Sequence, residues 1–153
     1  MAETVKIEGL RELEAALKEL PRSTGKAALR RVLKRCARPI ADAAAARAPV
    51  DEGALRDSIG VGTKLTRRQR GVHRKMFKSD KASVEMFVGA GGLAQAITQE
   101  FGTFKEPPQP FMRPSWDAGK HALLEGIKDD LWAEIQKAAQ RHARKMARLS
   151  RKG

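Results

Sequence analysis

The chain has 153 residues, 41% of them hydrophobic but only 5% aromatic, and its 31 Lys/Arg against 18 Asp/Glu give a formal net charge of +13. A chain of this length is expected to fold as one domain, with a core of Leu, Ile, Val, Met and Ala, since Tyr is absent. The lone Cys36 excludes an internal disulfide and a Cys-x-x-Cys zinc site and fits a reducing cytoplasm, no apolar run has the length to span a bilayer, and an N-terminus carrying Glu3 and Glu8 does not read as a signal peptide.

In chain order, residues 4–8 alternate, with Val5 and Ile7 on one face, as in a short half-buried strand ended by Gly9. Leu10, Leu13, Leu17 and Leu20 then recur at helical spacing, and Pro21 stops that helix. Ser23 or Thr24 is suited to cap the next helix. Its stripe is Leu29, Val32, Leu33, Cys36, Ile40 and Ala44, with a kink or break expected at Pro39. The small run Ala43–Ala46 permits close approach of another backbone, and Pro49 closes the helix.

Asp51, Gly53, Leu55 and Ser58 read as a turn in which Asp51 caps, Gly53 takes a left-handed backbone and Leu55 enters the core; a subunit contact built on that turn is the alternative. Residues 55–62 and 83–89 read as strands, with Leu55, Ile59 and Val61 on one face of the first and Val84, Met86 and Val88 inward on the second. Between them Lys64–Lys81 holds eight Lys/Arg and one acid, Asp80, and reads as a long hairpin tip or mobile arm. Ala90–Leu93 is a glycine-rich turn, and Ala94–Phe101 fits one or two helical turns. Residues 102–114, with Gly102 and four prolines, form an irregular loop. Pro114 suits the first turn of a long last helix whose apolar face is Trp116, Leu123, Leu124, Ile127, Leu131, Ile135 and Ala138. The expected fold is α+β: a small, mainly antiparallel sheet packed by two N-terminal helices and one long C-terminal helix. Residues 1–136 form the domain, and 137–153 form a wholly basic extension expected to fray unless a partner orders it.

Three segments together suggest a family. They are Ala48-Pro-Val-Asp-Glu-Gly-Ala-Leu-Arg-Asp-Ser-Ile59, Glu100-Phe-Gly-Thr103 and Gln109-Pro-Phe-Met-Arg-Pro-Ser-Trp116, and Val5-Lys-Ile-Glu-Gly-Leu-Arg-Glu-Leu13 adds to them. In this order they resemble the tail-completion, or neck, family of lambdoid-type long-tailed phages and prophages, over about residues 4 to 135. The resemblance implies a non-enzymatic virion protein of the head–tail joint, assembled in the host cytoplasm. It implies a ring of identical copies that contacts tail-terminator, tail-tube or head-closure proteins, with genomic DNA in the channel as a further partner. Neither the basic insert at 64–81 nor the basic end after residue 137 belongs to the matched pattern.

Within that frame, Glu100, Phe101, Gly102 and Thr103 are candidate contact residues. Phe101 is a core or interface anchor, Gly102 takes a positive φ, and Glu100 pairs with an Arg, Arg113 being one candidate, within or between subunits. Pro110, Phe111, Met112 and Arg113 form a stiff apolar loop that is either an oligomer or partner interface or a buried cover of the sheet. Arg67, Arg68, Arg70, Arg74 and Lys75 are either a solvated charge run or a contact for DNA phosphates or an acidic ring. Cys36 reads as a core residue. His73, His121 and His142 lie apart, Asp129 and Asp130 face solvent, and no nucleophile–base–orienter set, metal spacing or phosphate loop is present, so no cofactor, metal or small-molecule substrate is expected. The rival class is a non-specific DNA-binding basic protein of a plasmid or chromosome; it explains the charge but not the two loops.

Overall fold

The computed structural model describes residues 9–51, 53–78 and 84–153. The expected strand at 4–8 lies outside them. The elements are α1 (Leu10–Lys18), α2 (Arg22–Arg47), α3 (Ala54–Ser58), β1 (Gly60–Gly62), α4 (Arg67–Met76), β2 (Phe87–Gly89), α5 (Ala94–Phe101) and α6 (Met112–Ser150). The fold is α+β, mostly helical, with one two-stranded antiparallel ribbon in the register Gly60–Gly89, Val61–Val88 and Gly62–Phe87.

Two long helices make the frame. Arg31 bonds Glu134 at 3.0 Å and Arg47 bonds Ser115 at 3.0 Å, so α2 and α6 run antiparallel. At one end of this pair, Leu13 of α1, Val32 of α2, and Leu131 and Ile135 of α6 form an apolar cluster. At the other, Ala44, Ala48, Leu55 and Phe111 form a second, with Ile59, Ala90, Ala96 and Met112 packed on it. Between the clusters the helices come close. A Cβ on Gly119 would sit 2.8 Å from Cγ1 of the buried Ile40, nearer than packed carbons tolerate, so glycine sets that crossing distance. Along the flank, Arg35 donates to Asp130 at 2.9 Å and Arg31 to Glu134, and these guanidinium bonds hold both carboxyls below the usual range.

Several expectations give way here. Of the kink or break expected at Pro39, the break is absent: α2 continues through it, with Ala37, Ile40 and Ala41 on both sides buried and fixing the backbone. Its N-cap is Pro21, whose side chain offers no hydrogen bond, and Ser23 and Thr24 lie inside the helix. Residues 54–58 are helical rather than extended. The i, i+4 interval from Leu55 to Ile59 is the helical one, and among the described residues the ribbon is formed by 60–62 and 87–89. Gly53, at φ +80°, is the N-cap of α3 and Leu55 is buried as expected, so the N-cap position falls on Gly53 rather than on Asp51. Within the basic stretch, residues 67–76 are α-helix, started by a capping box in which Thr66 and Gln69 exchange side-chain to backbone bonds at 3.3 and 2.9 Å. Trp116 is exposed rather than part of the apolar face. Asp130 does not face solvent freely, since it accepts from Arg35 and from the Cys36 thiol at 3.4 Å. Apart from these differences, α6 runs on beyond Ala138 to Ser150, and every residue from Ala139 onward is exposed, so nothing among the described residues packs against that end.

Candidate functional site

The Glu100-Phe-Gly-Thr and Pro-Phe-Met-Arg segments meet. Helix α5 ends at Phe101, and Gly102 turns the chain with φ +76°. A Cβ there would lie 2.7 Å from the Pro108 nitrogen and 3.0 Å from the Glu106 carbonyl oxygen, so both the backbone angle and the space call for glycine. Thr103 folds the next residues over: its amide donates to Glu106 O at 2.8 Å, and its hydroxyl accepts from the amides of Lys105 and Glu106 at 3.3 and 3.1 Å. Gln109 then donates back to Gln99 O at 2.7 Å, which closes the loop beside α5.

That closure brings the start of α6 onto Glu100. The carboxylate accepts from the amides of Phe111 (2.8 Å), Met112 (2.9 Å) and Arg113 (3.0 Å). These are amides of a helix start, which lack acceptors inside the helix and present the positive end of its dipole. Glu100 therefore caps α6 from another element. Burial pushes its pKa up, but the three amides and the Arg113 guanidinium, with Nε at 3.5 Å, outweigh burial and hold the carboxyl below its ordinary value of 4.5. Arg113 also lies 4.6 Å over the ring of Phe101. A second tie comes from α2: the buried Ser115 hydroxyl donates to Phe111 O at 2.6 Å and accepts from Arg47.

The expected Glu100–Arg113 pair thus forms within one chain. Phe111 is 1% exposed and belongs to the second core cluster, which is the buried-cover alternative for this loop. Its neighbours differ: Phe101 is 62% exposed and Phe104 fully so. Phe101 lines a groove with Leu93 and Ile97 of the turn and helix before it, and of these exposed side chains only Phe101 is a sequence candidate; Leu93, Ile97 and Phe104 are not. That groove, of about 840 Å³, is lined by Ile97, Phe101 and Met112 together with Arg67 and Arg68 of α4. Arg67, Arg68, Arg70, Arg74 and Lys75 are all exposed. α4 is held to the ribbon by His73, whose ring meets Phe87 edge-on at 5.3 Å and whose Nε2 lies 3.5 Å from Glu85. Pro110 is exposed beside Glu100, while His121 and His142 stand on α6 away from this site. The arrangement is a braced, exposed apolar surface beside a row of cations, a combination found at protein contacts. Among the described residues no group of three or more His, Cys, Asp or Glu stands at metal-binding distance, and no helix is long and apolar enough to cross a membrane.

The chain belongs to the phage family described as "Bacteriophage HK97-gp10, putative tail-component", whose model matches residues 11–102. It is accordingly a phage structural protein of the tail or head–tail region. No curated protein and no solved structure matches it. The matched residues run from α1 through Gly102, so the loop at 103–111 and helix α6 lie beyond them.

Proposed function

We propose that this protein is a non-catalytic subunit of the head–tail joint of a long-tailed phage or prophage, in the tail-completion or neck position of the lambdoid type. It acts as a ring of identical copies that docks on neighbouring rings of the virion, and the host cytoplasm is where it assembles. The observation that carries this reading is the exposed apolar set Leu93, Ile97 and Phe101 lining a groove beside the Glu100 cap, with Phe104 fully exposed on the loop that follows. Exposed aromatics on a pre-braced loop dock at low entropic cost, and a closed ring multiplies modest contacts by symmetry. The cations on α4 beside the groove favour a neighbour with acidic residues at the contact rim. Tail-terminator, tail-tube and head-closure proteins are the partners this position supplies.

Electron microscopy of a lysate from phage lacking this protein tests the reading, and the expected picture is filled heads and finished tails that are not joined. Infectious, joined virions in its absence would refute it. Sedimentation of the purified protein over a concentration series addresses the ring: a closed oligomer should appear as concentration rises. A monomer at all concentrations, and also in the presence of the adjoining ring proteins, would remove the ring from the proposal.

A further inference from the structure

The last third of α6 carries a regular row of cations. Lys137, Arg141, Arg144, Arg148 and the C-cap Arg151 follow one another at intervals of four and three residues, which sets them along one face of the helix. Lys145 and Lys152 stand one residue along from that row, and no acidic side chain follows Glu134. All seven are exposed, as is every residue from Ala139 to Ser150, so this stretch is covered on no side. From Lys137 to Lys152 the chain rises about 22 Å at the α-helical increment, which gives roughly one positive charge per 3–4 Å. One strand of duplex DNA presents a phosphate about every 3.4 Å of axis, and a bare helix about 10–12 Å across matches a major groove about 12 Å wide.

We propose that this face of α6 binds the sugar–phosphate backbone of duplex DNA, without sequence preference. The inference does not rest on the head–tail reading. An acidic protein surface is the other polyanion to weigh. Protein contacts draw their strength from apolar and aromatic anchors. The exposed apolar side chains of this stretch, Met146 and Leu149, stand off the cation row at helical spacing, so the row itself holds no anchor. The basic helix α4 instead borders the apolar groove, with Val72, Met76 and Phe77 exposed along it, so its charges suit the rim of a protein contact.

The test is fluorescence anisotropy of the full chain with a labelled duplex about two helical turns long, over a salt series from about 50 to 300 mM. A variant carrying Arg141→Gln, Arg144→Gln, Lys145→Gln and Arg148→Gln keeps strong helix formers and loses four charges. Its binding should fall more than tenfold, and its log–log salt slope should shrink by about 3–4. The same positions changed to Lys where they are Arg should bind like the parent, and circular dichroism should show equal helix content in all. The proposal is overturned by an unchanged slope in the Gln variant, by loss of binding in the Lys variant, or by polyglutamate binding as tightly as DNA at matched salt. It is equally overturned if neutralising Arg67, Arg68, Arg70, Arg74 and Lys75 abolishes binding while the α6 variant retains it.

Discussion

Replacing Glu100 with Ala strips the acceptor from three amides at once, those of Phe111, Met112 and Arg113. An ordinary helix N-cap is worth about 1 kcal/mol and up to about 2. An amide left unpaired in the interior costs about 1–3 kcal/mol, and Phe111, the most enclosed of the three, is a buried residue. Met112 and Arg113 are less enclosed, so water can satisfy their amides in part. The expected loss is therefore about 2–4 kcal/mol, a large share of the roughly 5–15 kcal/mol that holds a domain together. At about 2–4 °C per kcal/mol, the melting temperature should fall by roughly 5–15 °C. Glu100→Gln keeps the shape but removes the charge, and it adds a pH signature. The Glu100 carboxyl titrates lower folded than its ordinary 4.5, so the unfolded chain binds the proton first as pH falls. Its stabilisation is then full above 4.5 and drains away as pH drops through the folded value. The difference in stability between parent and Glu100→Gln should be largest near neutrality and shrink below pH 4.5. Urea unfolding at several pH values measures this. Parallel curves for the parent and the Gln variant would mean that the charge of the cap contributes nothing, and an Ala variant as stable as the parent would mean that the cap itself does not.

Gly102→Ala should destabilise by about 1–3 kcal/mol, from the strained φ of a non-glycine residue and the clash with Pro108; an unchanged melting curve contradicts the loop geometry. Phe111→Ala should cost about 3–5 kcal/mol as a core cavity, whereas Phe101→Ala and Phe104→Ala should leave thermal stability within about 1 kcal/mol and weaken association. Sedimentation and melting on the same samples separate the two classes, and a stable Phe111→Ala or a badly unfolded Phe104→Ala would reverse the assignment. Burial, then the bond to Asp130, raises the Cys36 thiol to about 11. Thiol-reactive dyes at pH 8 should therefore label the folded protein more slowly than the unfolded one, and equal rates would contradict the burial.

The helical frame was legible because its period is long and repeated: the Leu13–Leu17 spacing of α1, the Val32–Ile40–Ala44 stripe of α2 and the Leu131–Ile135–Ala138 stripe of α6 all face the core or its margin. Short elements were not. Five residues cannot establish a period, so α3 was read as strand. The start of α4 does leave a local mark, Thr66-Arg-Arg-Gln69, which is the capping-box pattern, but the high charge and lack of an apolar stripe in 67–76 hide the helix that follows it. At the site, the partnership of Glu100 with Arg113 and the positive φ of Gly102 were readable from residue type. What residue type could not show is that Glu100 closes the start of α6, because a cap supplied from eleven residues upstream depends on how the intervening prolines fold the loop. The same limit applied to the phenylalanines. Phe101, Phe104 and Phe111 are alike in sequence, and only the chain path decides which two reach solvent.

Helix α6 contains 39 residues without interruption, a rise of about 58 Å. Its first turn is locked beside the groove and its last turns stand bare, so one covalent rod acts as a spacer between whatever grips each extremity. Lengthening or shortening that rod by a single residue would also swing everything beyond the insertion by about 100°, so span and azimuth are set together.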